Sequence, residues 1–160
     1  MTHRSSPVDR FFWSRHENPG SVWTLVGAYP MLVLSVYRRD RRLLVGTLLF
    51  VAVNPLLFSP PADDRAWATR VVRGERVWLD RGLRSSRPET AFAVLAAPVY
   101  LYTLGAAAAR RPVRTALGTV VSVVVMLAFF DRMVRLYEDA SEADGPGTDA
   151  TASGTGDDGE

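Results

Sequence analysis

The sequence predicts an all-α membrane protein: four transmembrane helices as two antiparallel hairpins, plus an interfacial amphipathic helix and a disordered acidic C-terminal tail. Three observations lead there. Four segments, about 22–37, 43–58, 91–109 and 115–130, contain no charged residue. The short links RRDRR and RRPVR join the first segment to the second and the third to the fourth, and connections this short make neighbouring helices antiparallel. Between the two pairs runs a longer connection containing AWATRVVRGERVW at 66–78, with a tryptophan near each end and arginines between.

The segments are 16 to 19 residues long, whereas roughly 20 residues cross a hydrocarbon core of about 30 Å. Flanking Arg, Trp and Tyr extend them by snorkelling and by anchoring at the interface. A soluble bundle would show a polar stripe at the helical period, and the last segment, TALGTVVSVVVMLAFF, has none. The first segment does not read as a cleaved leader: some twenty residues precede it and RRDRR follows in place of a small-residue cleavage site. Asn18-Pro19 reads as a helix cap followed by a first-turn proline. Ser86-Arg87-Pro88-Glu89 reads as a capping box for the third span, and Pro30, Pro55 and Pro98 read as kinks. Setting 38–53 over 110–125 matches Gly46-Thr47 with Gly118-Thr119, the mark of a possible hairpin repeat.

Lys, Ile, Gln and Cys are absent, so all 19 basic residues are Arg and no disulfide or thiolate metal site can form. From Glu138 to Glu160 there are eight acidic residues and no basic ones among Gly, Ser, Thr and Ala, a composition that cannot bury a core. The chain therefore divides into a membrane domain at 1–138 and a disordered tail at 139–160. The net charge of +2 hides a basic body behind that tail. Its arginines invite comparison with nucleic-acid binders, but the apolar segments exclude that class. No Gly-rich phosphate loop, nucleophile elbow or HExxH spacing occurs, so no cofactor and no metal is expected. The spans hold no acid, which argues against a proton-coupled transporter.

Four alternating passes sort the chemistry onto one side of the membrane. The two arginine turns share one face, and their charge density predicts that it is cytoplasmic. The other face receives His16, Asn18, Asn54, the 59–90 connection and Asp131-Arg132. At 100° per residue, Trp67, Val71, Val72, Trp78, Leu79 and Leu83 fall on one arc, opposite Arg70, Arg73, Arg76, Asp80, Arg81 and Arg84. A helix over about 64–80 with this division suits the headgroup region of a membrane. Glu75 breaks the pattern by lying in the apolar arc. There it should either hold a proton or pair with Arg132 or His16 as a clamp. His16, Glu75 and Asp131 are the candidate acid–base groups, and Arg70 and Arg132 are candidates to hold an anionic headgroup. The blander roles are a helix cap for Asn18, satisfaction of kink-freed backbone groups for Asn54, and a solvated or lipid-facing position for Arg70 and Arg76.

Over 16–138 the chain resembles an uncharacterised family of small multi-pass membrane proteins from halophilic archaea and bacteria, a domain of unknown function. The likeness rests on HENPGSVWT (16–24), NPLLFSPP (54–61), WATRVVRGERVW (67–78) and DRMVRLYE (131–138). It marks His16, Asn18, Pro19, Trp23, Asn54, Pro55, Trp67, Arg70, Gly74, Glu75, Trp78, Asp131, Arg132 and Glu138. Many bacterial members have Trp where this chain has Gly20, which implies an aromatic contact missing here. An acidic tail with an all-Arg basic set fits a halophile. The expected function is that of a cell-membrane protein, non-enzymatic, contacting membrane lipids, a protein partner or a second copy of itself. The alternative is an interfacial enzyme acting on a lipid-linked or amphiphilic substrate.

Overall fold

The computed structural model describes residues 7–82 and 86–143, and these form helices α1 (Pro7–His16), α2 (Pro19–Arg38), α3 (Arg41–Val53), a 3-10 turn (Asn54–Leu57), α4 (Trp67–Arg81), α5 (Arg87–Ala108) and α6 (Pro112–Ala143). Among the described residues there is no strand. Three helices, α2, α5 and α6, are long and apolar enough to cross a membrane. The expected positions 83 and 84 of the arginine-and-leucine pattern, and 144–160 of the expected tail, lie outside the described residues.

Helix α2 starts as its sequence dictates. Asn18 is extended, its side-chain oxygen accepts from the Gly20 N–H at 2.8 Å, and Pro19 opens the first turn. At the other end the Arg39 N–H closes on the Ser35 and Val36 carbonyls from a left-handed conformation, φ 56°. Asp40 then caps α3, its carboxylate accepting from the Arg42 and Leu43 N–H groups at 2.9 and 3.1 Å. The second turn also passes through a left-handed arginine, Arg110 with φ 52°. These two arginines superpose the turns one residue out of step with the Gly46/Gly118 alignment. A β-carbon on Gly118 would meet Thr103 Oγ1 at 2.6 Å, whereas one on Gly46 would meet nothing within 4 Å. The matched glycines thus do different jobs, and the packing lends the repeat no support.

The second apolar segment is not one helix. Pro55 has no N–H to donate and its ring crowds the preceding turn, so α3 stops at Val53 and the chain tightens into the 3-10 turn. Helix α3 alone is 13 residues, about 20 Å. By contrast, helices α2 and α5 continue through Pro30 and Pro98. Ser86 is not a capping-box residue: its side chain makes no cap hydrogen bond, its hydroxyl is buried without a partner among the described residues, and Glu89 turns instead to Arg132 at 3.5 Å.

Helix α6 runs well beyond the apolar segment that ended at 130, and 139–143 of the expected tail are helical. Asp131 and Arg135 pair one turn apart at 2.8 Å on its outer side. Met133, Val134 and Leu136 are buried on its inner side. Helices α5 and α6 meet through small residues, Gly118 against Thr103, with Thr103 and Ser122 hydrogen-bonded at 3.1 Å. Such small residues let backbones approach where a membrane supplies no hydrophobic drive between helices.

Candidate functional site

Arg70, Arg73, Glu75 and Arg76 lie on α4, which packs chiefly on α6 and also on α2. Its inner side is built for close approach. A β-carbon on Gly74 would lie 1.9 Å from the Met133 carbonyl oxygen, so only glycine lets the α4 and α6 backbones cross here. Val72 and Ala68 bury against Val22, with Trp13, Trp67 and Phe130 around them, while Val71 buries against Met133 and Val134. Trp67 stacks on Trp23 at 5.7 Å, and Trp78 meets Phe129 edge-on at 5.6 Å while its ring N–H donates to Thr90 at 3.2 Å. Both tryptophans therefore have partners within the chain. Leu79, expected on the same arc, is half exposed.

On the other side of α4, Arg70, Arg73 and Arg76 are each paired. The carboxylate of Glu17, in the α1–α2 link, is nearly buried and accepts from Arg73 Nε at 3.3 Å and from Arg76 at 3.2 Å. The Glu17 backbone carbonyl accepts from the buried Thr69 hydroxyl at 2.9 Å. Arg73 reaches on to Asp64 and to the Tyr137 hydroxyl, each at 3.1 Å, and that hydroxyl donates to Asp64 at 3.0 Å. The Tyr137 bond, followed by Asp64's own backbone N–H, holds the Asp64 carboxyl below its ordinary range. Arg70 pairs with Glu138 at 2.5 Å. Arg70 and Arg76 are thus neither simply solvated nor lipid-facing, as their sequence positions implied. A cleft of about 370 Å³ opens beside this cluster, lined by Glu17, Arg73, Arg76, Val77 and Asp80.

A second, smaller network ties α1 and α2 to the end of α3. Asn54 is fully buried, its oxygen accepting from the Ser21 hydroxyl at 2.5 Å and its amide donating to the Thr24 hydroxyl at 2.6 Å. It joins helices through side chains and does not satisfy the backbone freed at Pro55, the role expected of it. His16 Nδ1 lies 3.3 Å from the same Ser21 hydroxyl. Because Ser21 spends its one proton on Asn54, it can only accept from His16, which assigns the imidazole proton to Nδ1. Burial pushes the His16 pKa down, partly opposed by the neighbouring Glu17, so the ring favours the neutral form. Asn18 caps α2 and also donates to the Ser59 carbonyl at 2.9 Å. The Phe58 ring fills the space beside Gly20, where a β-carbon would lie 2.5 Å from Cε1. That ring comes from the residue after the 3-10 turn.

The remaining candidates stand apart. Glu75 makes no ion pair or hydrogen bond among the described residues, so the expected clamp with Arg132 or His16 is not formed. Arg132 pairs with Glu89 and sits 5.9 Å over the Phe92 ring. The clamp onto α4 comes instead from Glu17. Glu75 keeps part of its surface open, yet enough protein surrounds it that burial pushes its pKa up to about 7. Asp131 faces outward to Arg135. Among the described residues no group of three or more His, Cys, Asp or Glu residues is placed to hold a metal ion. Sequence reasoning named neither Ser21, Thr24, Asp64 nor Tyr137. Ser21 and Thr24 were recoverable, lying one turn apart on α2; Asp64 and Tyr137, 73 positions apart, carried no local signal.

Fold and polar cluster together define a protein whose described residues are helical, with three helices fit to cross a membrane and a part-buried ion-pair network centred on Glu17. The chain belongs to the family of unknown function DUF6653, which covers residues 7–156. No curated protein and no solved structure matches it.

Proposed function

We propose that the chain is a non-enzymatic, multi-pass protein of the cell membrane. In this reading α2, α3 with its 3-10 turn, α5 and α6 cross as two antiparallel hairpins. Helix α3 and the turn together span about 28 Å at 1.5 and 2.0 Å per residue, close to the hydrocarbon thickness. Helix α4, amphipathic in its division of arginines from apolar residues, then lies at headgroup level with its inner side on the bundle. The cleft beside Glu17, Arg73, Arg76 and Asp80 is the surface offered to a partner protein or to lipid headgroups.

One observation carries the non-enzymatic reading: the candidate acid–base groups do not converge. His16 is engaged with Ser21, Asp131 with Arg135, and Glu75 lies alone on the inner side of α4. General acid–base catalysis needs its groups within hydrogen-bond reach of one reacting centre. The interfacial-enzyme reading keeps one supporting observation, since an unpaired carboxyl with a pKa of about 7 is what proton transfer at neutral pH requires.

Two variants separate these readings when the protein is purified from its native membrane and bound molecules are identified by mass spectrometry. Asp80→Arg, on the cleft rim, should release the bound molecule, and Glu75→Gln should leave it in place. If Asp80→Arg changes nothing, while Glu75→Gln makes an unconverted lipid-linked molecule accumulate on the protein, the enzyme reading replaces this one.

A further inference from the structure

The two ends of the helices treat their arginines differently. Around α4, Arg70, Arg73, Arg76, Arg132 and Arg135 each pair with a carboxylate. At the other end, Arg38, Arg39, Arg41, Arg42, Arg110, Arg111 and Arg114 are exposed, and none makes an ion pair or side-chain hydrogen bond among the described residues. The one acid there, Asp40, has its carboxylate on the α3 backbone. The two turns are neighbours, because Tyr37 and Pro112, each beside one of them, line one cavity of about 360 Å³. The result is a concentrated positive charge, seven arginines against the single carboxylate of Asp40 among the described residues.

A groove of about 530 Å³ leads into that charge between α2 and α3. Gly27, Ala28, Met31, Gly46 and Phe50 line it, and Arg42 stands at its arginine end. Its surface is apolar almost throughout. Glycine here does not serve close helix approach, as it does at Gly118, since a β-carbon on Gly27 or Gly46 would meet nothing within 4 Å. Space is therefore left open beside both glycines, in a groove that Arg42 also lines.

We propose that this groove holds an acyl chain of an anionic phospholipid whose phosphate is bound by Arg42, with the neighbouring turn arginines adding attraction. The proposal rests on the membrane reading above. Arg42 matches an anionic headgroup by charge and donor geometry, and the groove has the volume and apolar lining of a ligand site. A zwitterionic lipid carries the same phosphate, but its ammonium group offsets the attraction to the turn arginines, so the net negative charge of an anionic lipid is the better match.

Native mass spectrometry of the full chain in detergent tests it, with phosphatidylglycerol and phosphatidylcholine of identical acyl chains as probes. One phosphatidylglycerol should be retained in preference to phosphatidylcholine. Arg42→Gln should weaken that retention about fivefold, the effect of removing one arginine near a lipid surface. Gly46→Leu, whose β-carbon meets nothing within 4 Å and whose side chain enters the groove, should abolish it while melting like the parent. Equal retention of the two lipids, or undiminished phosphatidylglycerol binding by Gly46→Leu, overturns the proposal. So does a dimer that Gly46→Leu converts to a monomer, because the groove then seats a second copy. Alkaline carbonate washing of native membranes distinguishes the two levels: release of the protein defeats the membrane reading itself, while retention with equal lipid binding defeats only the lipid site.

Discussion

Alanine at position 74 should damage this protein in a way that alanine at position 46 does not. In helix interiors Gly→Ala ordinarily stabilises by roughly 1 kcal/mol, because alanine loses less backbone freedom on folding. At Gly74 the added β-carbon would sit 1.9 Å from the Met133 oxygen, 2.5 Å from its carbonyl carbon and 2.9 Å from its α-carbon. All three are backbone atoms, so no side chain can rotate away. Ordinary contact begins at 3.4 Å, and α4 must retreat from α6 by more than 1 Å. That retreat loosens Val71 against Met133 and Val134 and draws Trp67 and Trp78 away from Phe130 and Phe129. Overpacking of this kind costs about 3 kcal/mol at the upper end of its usual range, which leaves a net loss of roughly 2 kcal/mol after the propensity gain. Thermal melting in detergent, followed by intrinsic tryptophan fluorescence, reads it directly. Gly74→Ala should melt several degrees below the parent and Gly46→Ala at or above it. Equal midpoints for the two variants would refute the close crossing.

Three further outcomes follow from the polar network. Glu17→Gln leaves Arg73 and Arg76 without their shared carboxylate; since both guanidiniums are part-exposed, the cost should be about 2 kcal/mol, below the range for a fully buried pair, and a melt unchanged from the parent would count against the clamp. Asn54→Ala removes the acceptor of the buried Ser21 hydroxyl and the donor to the Thr24 hydroxyl and should cost about 2 to 3 kcal/mol, checked by the same melts, with Asn54→Ser as the partial rescue. For Glu75 the sign is the reverse of an ion pair. Its folded pKa of about 7 lies above the ordinary 4.5, so the folded state favours the protonated form; stability is full below about pH 4.5, falls as pH rises through 7, and the loss reaches about 3 kcal/mol above that. Glu75→Gln should therefore raise the melting temperature at pH 8 and leave it unchanged at pH 4. A variant less stable at pH 8 would mean that Glu75 has a cationic partner.

What could be read from the sequence was what local rules govern. The Asn18 cap and Pro19 at the start of α2 involve neighbours two residues apart, and the apolar runs of α2, α5 and α6 announce themselves by composition. Helix α1 was missed because PVDRFFWSRH mixes charge and aromatics without a long apolar run. Helix α6 was ended too early at 130 because apolarity marks where a span stops and says nothing of where a helix stops. The spacing of Met133, Val134 and Leu136, with Asp131 and Arg135 one turn apart, held the missing signal. Glu75 reads in the sequence as a carboxyl in an apolar arc, but that it goes unpaired among the described residues while Glu17 holds α4 is beyond helical geometry, since ion pairs such as Glu17–Arg73 join residues 56 positions apart. The close passage of Gly74 was equally hidden. A glycine in a helix reads as a weakness until the backbone on the other side is known.

The proposed membrane reading has four crossings separating an ion-paired polar end from an arginine-rich end. It turns on whether the short α3 and its 3-10 turn complete a pass. The chain has no cysteine, so single cysteines at Asp40, Arg111, Asp80 and Asp139 can be labelled in intact and in permeabilised cells with a membrane-impermeant maleimide. Positions 80 and 139 should label in intact cells, and positions 40 and 111 only after permeabilisation. Should position 80 share the side of 40 instead, or should 40 and 111 fall on opposite sides, α3 does not cross and the polar cluster is not the outward end of a four-pass protein.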